Sequence, residues 1–146
     1  MTMPRGAAIE LDLDTQHHAY HRAGVARMWR TYAQRDFRGR YIGDAPPDYL
    51  GVLYATGQAV AIEAKSTQAP RWAVANLHLH QRRDLEAVRL AGGVALVVLR
   101  IPAGTWAVPV DRVPSRGTLG VEELEVVGVQ VGVRSGCDWV MALGGG

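Results

Sequence analysis

Asp48, Glu63 and Lys65 are the residues of this chain whose types and spacing point to chemistry. Asp48 follows two prolines in Pro46-Pro47-Asp48-Tyr49-Leu50-Gly51-Val52-Leu53-Tyr54, and Glu63-Ala64-Lys65 comes eight residues later. Two carboxylates and an ammonium converging at a strand end suit a Mg²⁺ site. Magnesium takes oxygen ligands at about 2.0–2.1 Å and keeps several waters, so one or two carboxylates suffice. A backbone carbonyl, here that of Ala64, completes such a set. The metal acidifies a bound water and neutralises a phosphate oxygen, while a lysine orients or deprotonates the nucleophile. Phosphodiester hydrolysis is the reaction class that most needs this combination. An isolated Glu-x-Lys is otherwise a surface ion pair worth about 0–1 kcal/mol. It is the Pro-Asp ahead of it, at hairpin spacing, that sets this one apart.

The elements around these residues must bring them together. Residues 48–54 and 59–66 read as two strands joined by Ala55-Thr56-Gly57-Gln58, a hairpin signal. Side chains alternate along a strand, so Glu63 and Lys65 share a face and Ala64 turns away. With Thr56 and Gly57 as a two-residue turn, Asp48 falls opposite Lys65. Glu63 is then the diagonal neighbour, about 7–8 Å away between backbones.

Residues 7–23 read as a helix ended by Gly24, burying Ile9, Leu13 and Tyr20, with Glu10, Asp14, His17 and His21 as a polar stripe on another face. Residues 25–32 suggest a strand, and residues 34–46 a turn-rich basic excursion. A short strand over 71–74 precedes a helix over 77–93 closed by Gly92 and Gly93. Gln81, Leu85 and Val88 share one face of that helix, which points Gln81 inward at its start. The unbroken apolar run 94–101 marks a strand covered on both faces. Further strands are expected at 105–110 and near 138–143, with a helical turn opening in 120–127. The order implies a mixed β-sheet flanked by helices, in the α/β class.

The 146 residues, 48% apolar and 21% charged, amount to a single domain over 1–146 with a frayed glycine tail. No apolar run approaches the roughly 18–20 residues of a spanning helix, so no membrane is expected. The N-terminal stretch does not read as a secretory signal. The single cysteine, Cys137, excludes an internal disulfide framework and fits a reducing, cytoplasmic setting. It has no histidine partner in sequence and reads as a packing residue. Fifteen arginines stand against one lysine, Lys65. Arg27, Arg30, Arg35, Arg38 and Arg40 face only one acid in that stretch, Asp36, and such a patch suits phosphate. His17, His18 and His21 read as exposed or structural, and Trp29, Trp72, Trp106 and Trp139 as core.

Five pieces fall in one order: Arg5-Gly-Ala-Ala-Ile-Glu10, Asp48-Tyr-Leu-Gly51, Glu63-Ala-Lys-Ser-Thr67, Asn76-Leu-His-Leu-His-Gln81 and Gly92-Gly-Val-Ala-Leu-Val-Val98. Together they resemble the RecU-type Holliday junction resolvases of the PD-(D/E)xK nuclease superfamily. The resemblance covers roughly residues 5–101. It implies a restriction-endonuclease-like core with Asp48, Glu63 and Lys65 as catalytic residues, and Asp48, Glu63 and the Ala64 carbonyl as metal ligands. Glu10, which matches the family's acid on the first helix, and Gln81, which with His80 matches its His-Gln pair, complete the catalytic set that the resemblance implies. Arg5, Arg35, Arg38, Arg40 and His80 are the DNA contacts expected from it. Two departures mark this chain. Pro47 stands where the family has a small hydroxyl residue, and the excursion at 34–46 is shorter than the family's protruding stalk.

The expectation is therefore a Mg²⁺-dependent endonuclease, with Mn²⁺ able to substitute, that cuts four-way DNA junctions and leaves 5′-phosphate ends. A two-fold junction cut on opposed strands calls for a homodimer. The competing readings are a nuclease of the same superfamily acting on linear duplex, and a non-catalytic DNA-binding module.

Overall fold

The computed structural model describes residues 6–133 and 135–144, so Arg5 and the last two glycines of the tail lie outside the described residues. The chain runs α1 (Ala7–Arg22), β1 (Ala26–Arg30), β2 (Tyr49–Leu53), β3 (Ala59–Ser66), β4 (Trp72–Ala73), α2 (Leu79–Leu90), β5 (Val94–Ile101), β6 (Gly104–Pro109), β7 (Thr118–Leu119), α3 (Val121–Val127) and β8 (Val129–Gly132). Three short 3₁₀ turns, at Val74–Asn76, Val110–Arg112 and Trp139–Leu143, complete it.

One six-stranded sheet, ordered β1-β2-β3-β5-β6-β8, forms the centre. Only β3 and β5 run parallel, linked by the α2 crossover, and the other neighbours are antiparallel. The apolar run of β5 is buried from Ala95 to Leu99, as a strand covered on both faces requires. On one face α1 packs Ile9, Leu13 and Tyr20 against Val60, Ile62, Leu96 and Val98. On the other, Leu85 of α2 joins Ala61, Val97, Leu99 and Trp106. The two-stranded sheet of β4 and β7 lies beside this second layer, carrying Trp72 into it. Gly92, with φ +95°, closes α2 in a conformation that glycine alone adopts freely. No helix among the described residues is long and apolar enough to cross a membrane.

Four expectations change. The chain turns between β2 and β3 through four residues, Tyr54 to Gly57, not two. The Gly57 N–H donates to the Leu53 carbonyl at 2.8 Å, with Gly57 at φ +74°, and the Leu53 N–H reaches Gln58 at 3.0 Å. This helical-type turn shifts the ladder by two residues, pairing Tyr49 with Ile62. Asp48 therefore comes opposite Glu63, not Lys65.

His17 leaves the polar stripe and is buried, because Trp139 folds over α1 and donates its indole N–H to His17 Nε2 at 2.9 Å. The segment around Trp139 is a 3₁₀ turn, not a strand; the last strand is β8, which pairs with β6. Trp29 is 52% exposed, whereas Trp72, Trp106 and Trp139 are buried. Its face of the sheet is the one under α2, which packs over β3 and β5 and leaves β1 and β2 uncovered.

Candidate active site

The β2–β3 ladder opens at the residues of interest. The Leu53 N–H donates to the Gln58 carbonyl at 3.0 Å, so by the two-residue alternation of an antiparallel ladder Gly51–Val60 and Tyr49–Ile62 are the hydrogen-bonded pairs. Pro47 then falls opposite Ala64. A proline has no N–H, so the Ala64 carbonyl receives no donor from it. The carbonyl of Pro47 is itself taken by the Thr31 hydroxyl. Asp48 fills part of the gap, its Oδ2 accepting the Ala64 N–H at 2.8 Å. The N–H and C=O of one strand residue point the same way, so the Ala64 carbonyl faces the open end beside the Asp48 carboxylate.

Asp48 and Glu63 form the next, non-hydrogen-bonded pair, where opposing side chains come closest. Glu63 is only 4% exposed. Its Oε1 accepts from Gln81 Nε2 at 3.2 Å, and its Oε2 is buried with no hydrogen-bond partner. Burial, followed by the neighbouring Asp48 charge, pushes the Glu63 carboxyl well above the usual carboxylate range. A buried, unpartnered carboxylate oxygen beside a second carboxylate is unfavourable unless a proton or a cation sits there.

Gln81 organises the other side. Its Oε1 accepts the His78 backbone N–H at 2.9 Å, closing the first turn of α2. The same oxygen accepts from Lys65 Nζ at 2.9 Å. The backbone N–H thereby fixes which way the amide points: oxygen to Lys65, nitrogen to Glu63. Glu63 and Lys65 share the α2 face of β3, as strand alternation predicts.

A cleft of about 390 Å³ opens at this end of the sheet, and Glu10, Asp48, Glu63, Ala64, Lys65 and Gln81 all line it. Glu10 enters from the first turn of α1, on the opposite side from α2. Its carboxylate is paired with Arg30, which also reaches Asp14 at 3.4 Å. The Tyr49 hydroxyl donates to Asp14 at 2.8 Å and holds this cluster to β2. The sequence places Arg30 in a phosphate-suited patch and does not mark its pairing with Glu10, and it does not mark His78 at all. Arg30 had a signal in its place on the strand after the Glu10 helix, whereas His78 contributes through its backbone and left none.

Of the residues expected to meet DNA, Arg35, Arg38, Arg40 and His80 lie outside the cleft. Arg35, Arg38 and Arg40 are exposed on an irregular excursion held by a β-bridge between Arg35 and Tyr41 and by the Asp36 carboxylate, which accepts the Arg38 and Arg40 backbone N–H groups. Arg40 pairs with Asp36 at 3.0 Å, and the Arg35 guanidinium lies 4.3 Å over the Tyr41 ring. His80 stacks on His78, ring centroids 6.1 Å apart, with its Nδ1 4.0 Å from Asp44.

Among the described residues no three His, Cys, Asp or Glu side chains gather as a metal cluster. Two carboxylates and a free carbonyl, completed by water, nevertheless fit a hard cation such as Mg²⁺. The orphaned Glu63 Oε2 is the observation that favours such a fit.

The family model of Recombination protein U (RecU) matches residues 4–106. The chain belongs to the RecU family. All six residues lining the cleft named above fall inside that match, whereas α3, β8 and the Trp139 turn lie beyond it. No curated protein sequence matches the chain. Among solved structures it is similar to Hjc, a Holliday junction resolvase from the archaeal hyperthermophile Archaeoglobus fulgidus. The TM-score is 0.56 at 17% identity, over 84% of this chain and 95% of that one. At that identity the likeness is one of fold: a mixed sheet flanked by helices.

Proposed function

We propose that this RecU-family chain is a Mg²⁺-dependent endonuclease that resolves four-way DNA junctions by paired nicks, leaving 5′-phosphate and 3′-hydroxyl ends. The observation that carries this reading is the Asp48–Glu63 pair, with its orphaned Oε2, joined through one amide to Lys65. The chain's family, and the resolvase named in its structural neighbour, support the junction as substrate.

Asp48, Glu63 and the Ala64 carbonyl are the ligands in this reading. A divalent cation held there would supply charge neutralisation at the phosphate and a more acidic water. Lys65 orients that water for in-line displacement, and Gln81 holds the ammonium at the required position. Glu10 closes the cleft from the α1 side, its carboxylate restrained by Arg30. Arg35, Arg38 and Arg40 contact phosphates away from the cut, and His80 contacts DNA beside the cleft. One chain holds one such cleft, so a homodimer supplies the two opposed cuts that a two-fold junction needs.

The test is cleavage of a four-way junction against a linear duplex of equal sequence, with Mg²⁺ and with EDTA. Metal-dependent, symmetric nicking of the junction alone is the expected result. Equal cutting of the linear duplex overturns junction selectivity. Binding without cutting on either substrate leaves only a DNA-binding module.

A further inference from the structure

The uncovered part of the sheet carries a feature the cleavage chemistry does not use. Trp29 pairs with Leu50, and Arg27 with Val52, all on the face under α2. The same face continues to Asp48 and Glu63, so Trp29 is a diagonal neighbour of Asp48. That places their backbones about 7–8 Å apart, which spans roughly two steps of stacked DNA. Trp29 is 52% exposed, Leu50 is exposed beside it, and the Arg27 guanidinium lies 5.2 Å from the indole centroid. An arginine at that distance holds the ring by cation–π attraction and leaves the rest of the indole open.

We infer that Trp29, braced by Arg27, is a stacking platform for a nucleobase within two nucleotides of the scissile phosphate. This rests on the nuclease reading above and adds a specificity element to it. Two observations favour a DNA strand as the occupant. The platform is continuous with the candidate active site on one sheet face. Its charge is positive, and the adjoining excursion adds Arg35, Arg38 and Arg40 against Asp36 and Asp44. A second copy of this chain docked here on a two-fold axis would oppose like charges, whereas a polyanion would not. Aromatic stacking is tolerant of sequence and needs an unstacked base, which a branch point presents and a continuous duplex does not. The platform thus favours cutting at a distorted position over cutting within regular duplex.

The experiment uses four-way junctions carrying 5-iododeoxyuridine at single positions around the mapped cut, bound to the full chain in EDTA and irradiated. Cross-linking to Trp29 from a base within two nucleotides of the cut is the expected result. Trp29→Ala should weaken junction binding by about tenfold or more and reduce the preference for junction over linear duplex, while Trp29→Phe should retain most of both. If the wild-type chain neither binds nor cuts junctions, the nuclease reading and the platform fall together. If it does both, but Trp29→Ala binds and cuts as well as wild type and the cross-link maps elsewhere, the platform alone is overturned. A change of oligomeric state in Trp29→Ala without DNA, seen by sedimentation, also overturns it, by making the patch a contact between copies.

Discussion

One residue beyond the last β2–β3 ladder pair, Tyr49–Ile62, the register sets Asp48 across from Glu63, with both side chains on the face of the sheet under α2. Two carboxylates so placed, one of them buried with an unpartnered oxygen, repel each other when both are charged. The raised Glu63 carboxyl is the thermodynamic sign of burial first and of that repulsion second. In the proposed reading a shared cation would remove that repulsion.

Asp48→Asn and Glu63→Gln should each abolish junction cleavage while leaving binding within a few-fold of wild type. Loss of negative charge beside phosphate should, if anything, tighten binding. Single-turnover cleavage with a parallel gel-shift titration measures both, and near-normal cutting by either variant would place the site elsewhere.

Lys65 and Gln81 should fail in related ways. Lys65→Arg should recover little of the rate lost in Lys65→Ala, since a planar fork does not replace a compact ammonium. Gln81→Ala frees Lys65 and leaves a second Glu63 oxygen without its donor, so about 10- to 100-fold in rate should be lost. Gln81→Glu keeps the acceptor for Lys65 but sets a third carboxylate against Glu63, and should be no better. A Gln81→Ala variant with full rate at saturating Mg²⁺ would reduce the amide to a helix cap.

Neutralising Arg35, Arg38 and Arg40 together should weaken junction binding and flatten its salt dependence. Each lost phosphate contact removes about one unit of log–log slope. Arg40 is already shared with Asp36, so the expected decrease is nearer two units than three. Affinities measured across a salt series give the slope directly. An unchanged slope would leave the excursion a solvated surface.

Burial holds His17 neutral, its pKa lowered to about 4 despite the opposing Asp14 charge, while its Nε2 accepts from Trp139. The unfolded chain takes up this proton near pH 6.5 and the folded one only near 4. Stability should therefore fall as pH drops through that window, by about 3 kcal/mol at most. His17→Gln removes the titrating group and should flatten this part of the profile. Urea unfolding at pH 7 and pH 4.5 for both chains reads the difference, and parallel losses would assign the pH dependence to other groups.

Periodicity alone settled much of the site. Alternation along β3 puts Glu63 and Lys65 on one face and Ala64 on the other whatever the register. Helical spacing puts Gln81 on the buried face of α2 with Leu85, and glycine pairs and unbroken apolar runs mark where α2 ends and β5 begins. These are local properties of backbone geometry, so the sequence carries them residue by residue. The opposition of Asp48 to Glu63 was decided by the fold, because the turn at 54–57 closes on a left-handed Gly57 and moves the ladder by two residues. Trp29 is exposed and His17 buried for a related reason. Burial depends on which distant element covers a face, and α2 stops short of β1 while Trp139, far along the chain, folds over α1.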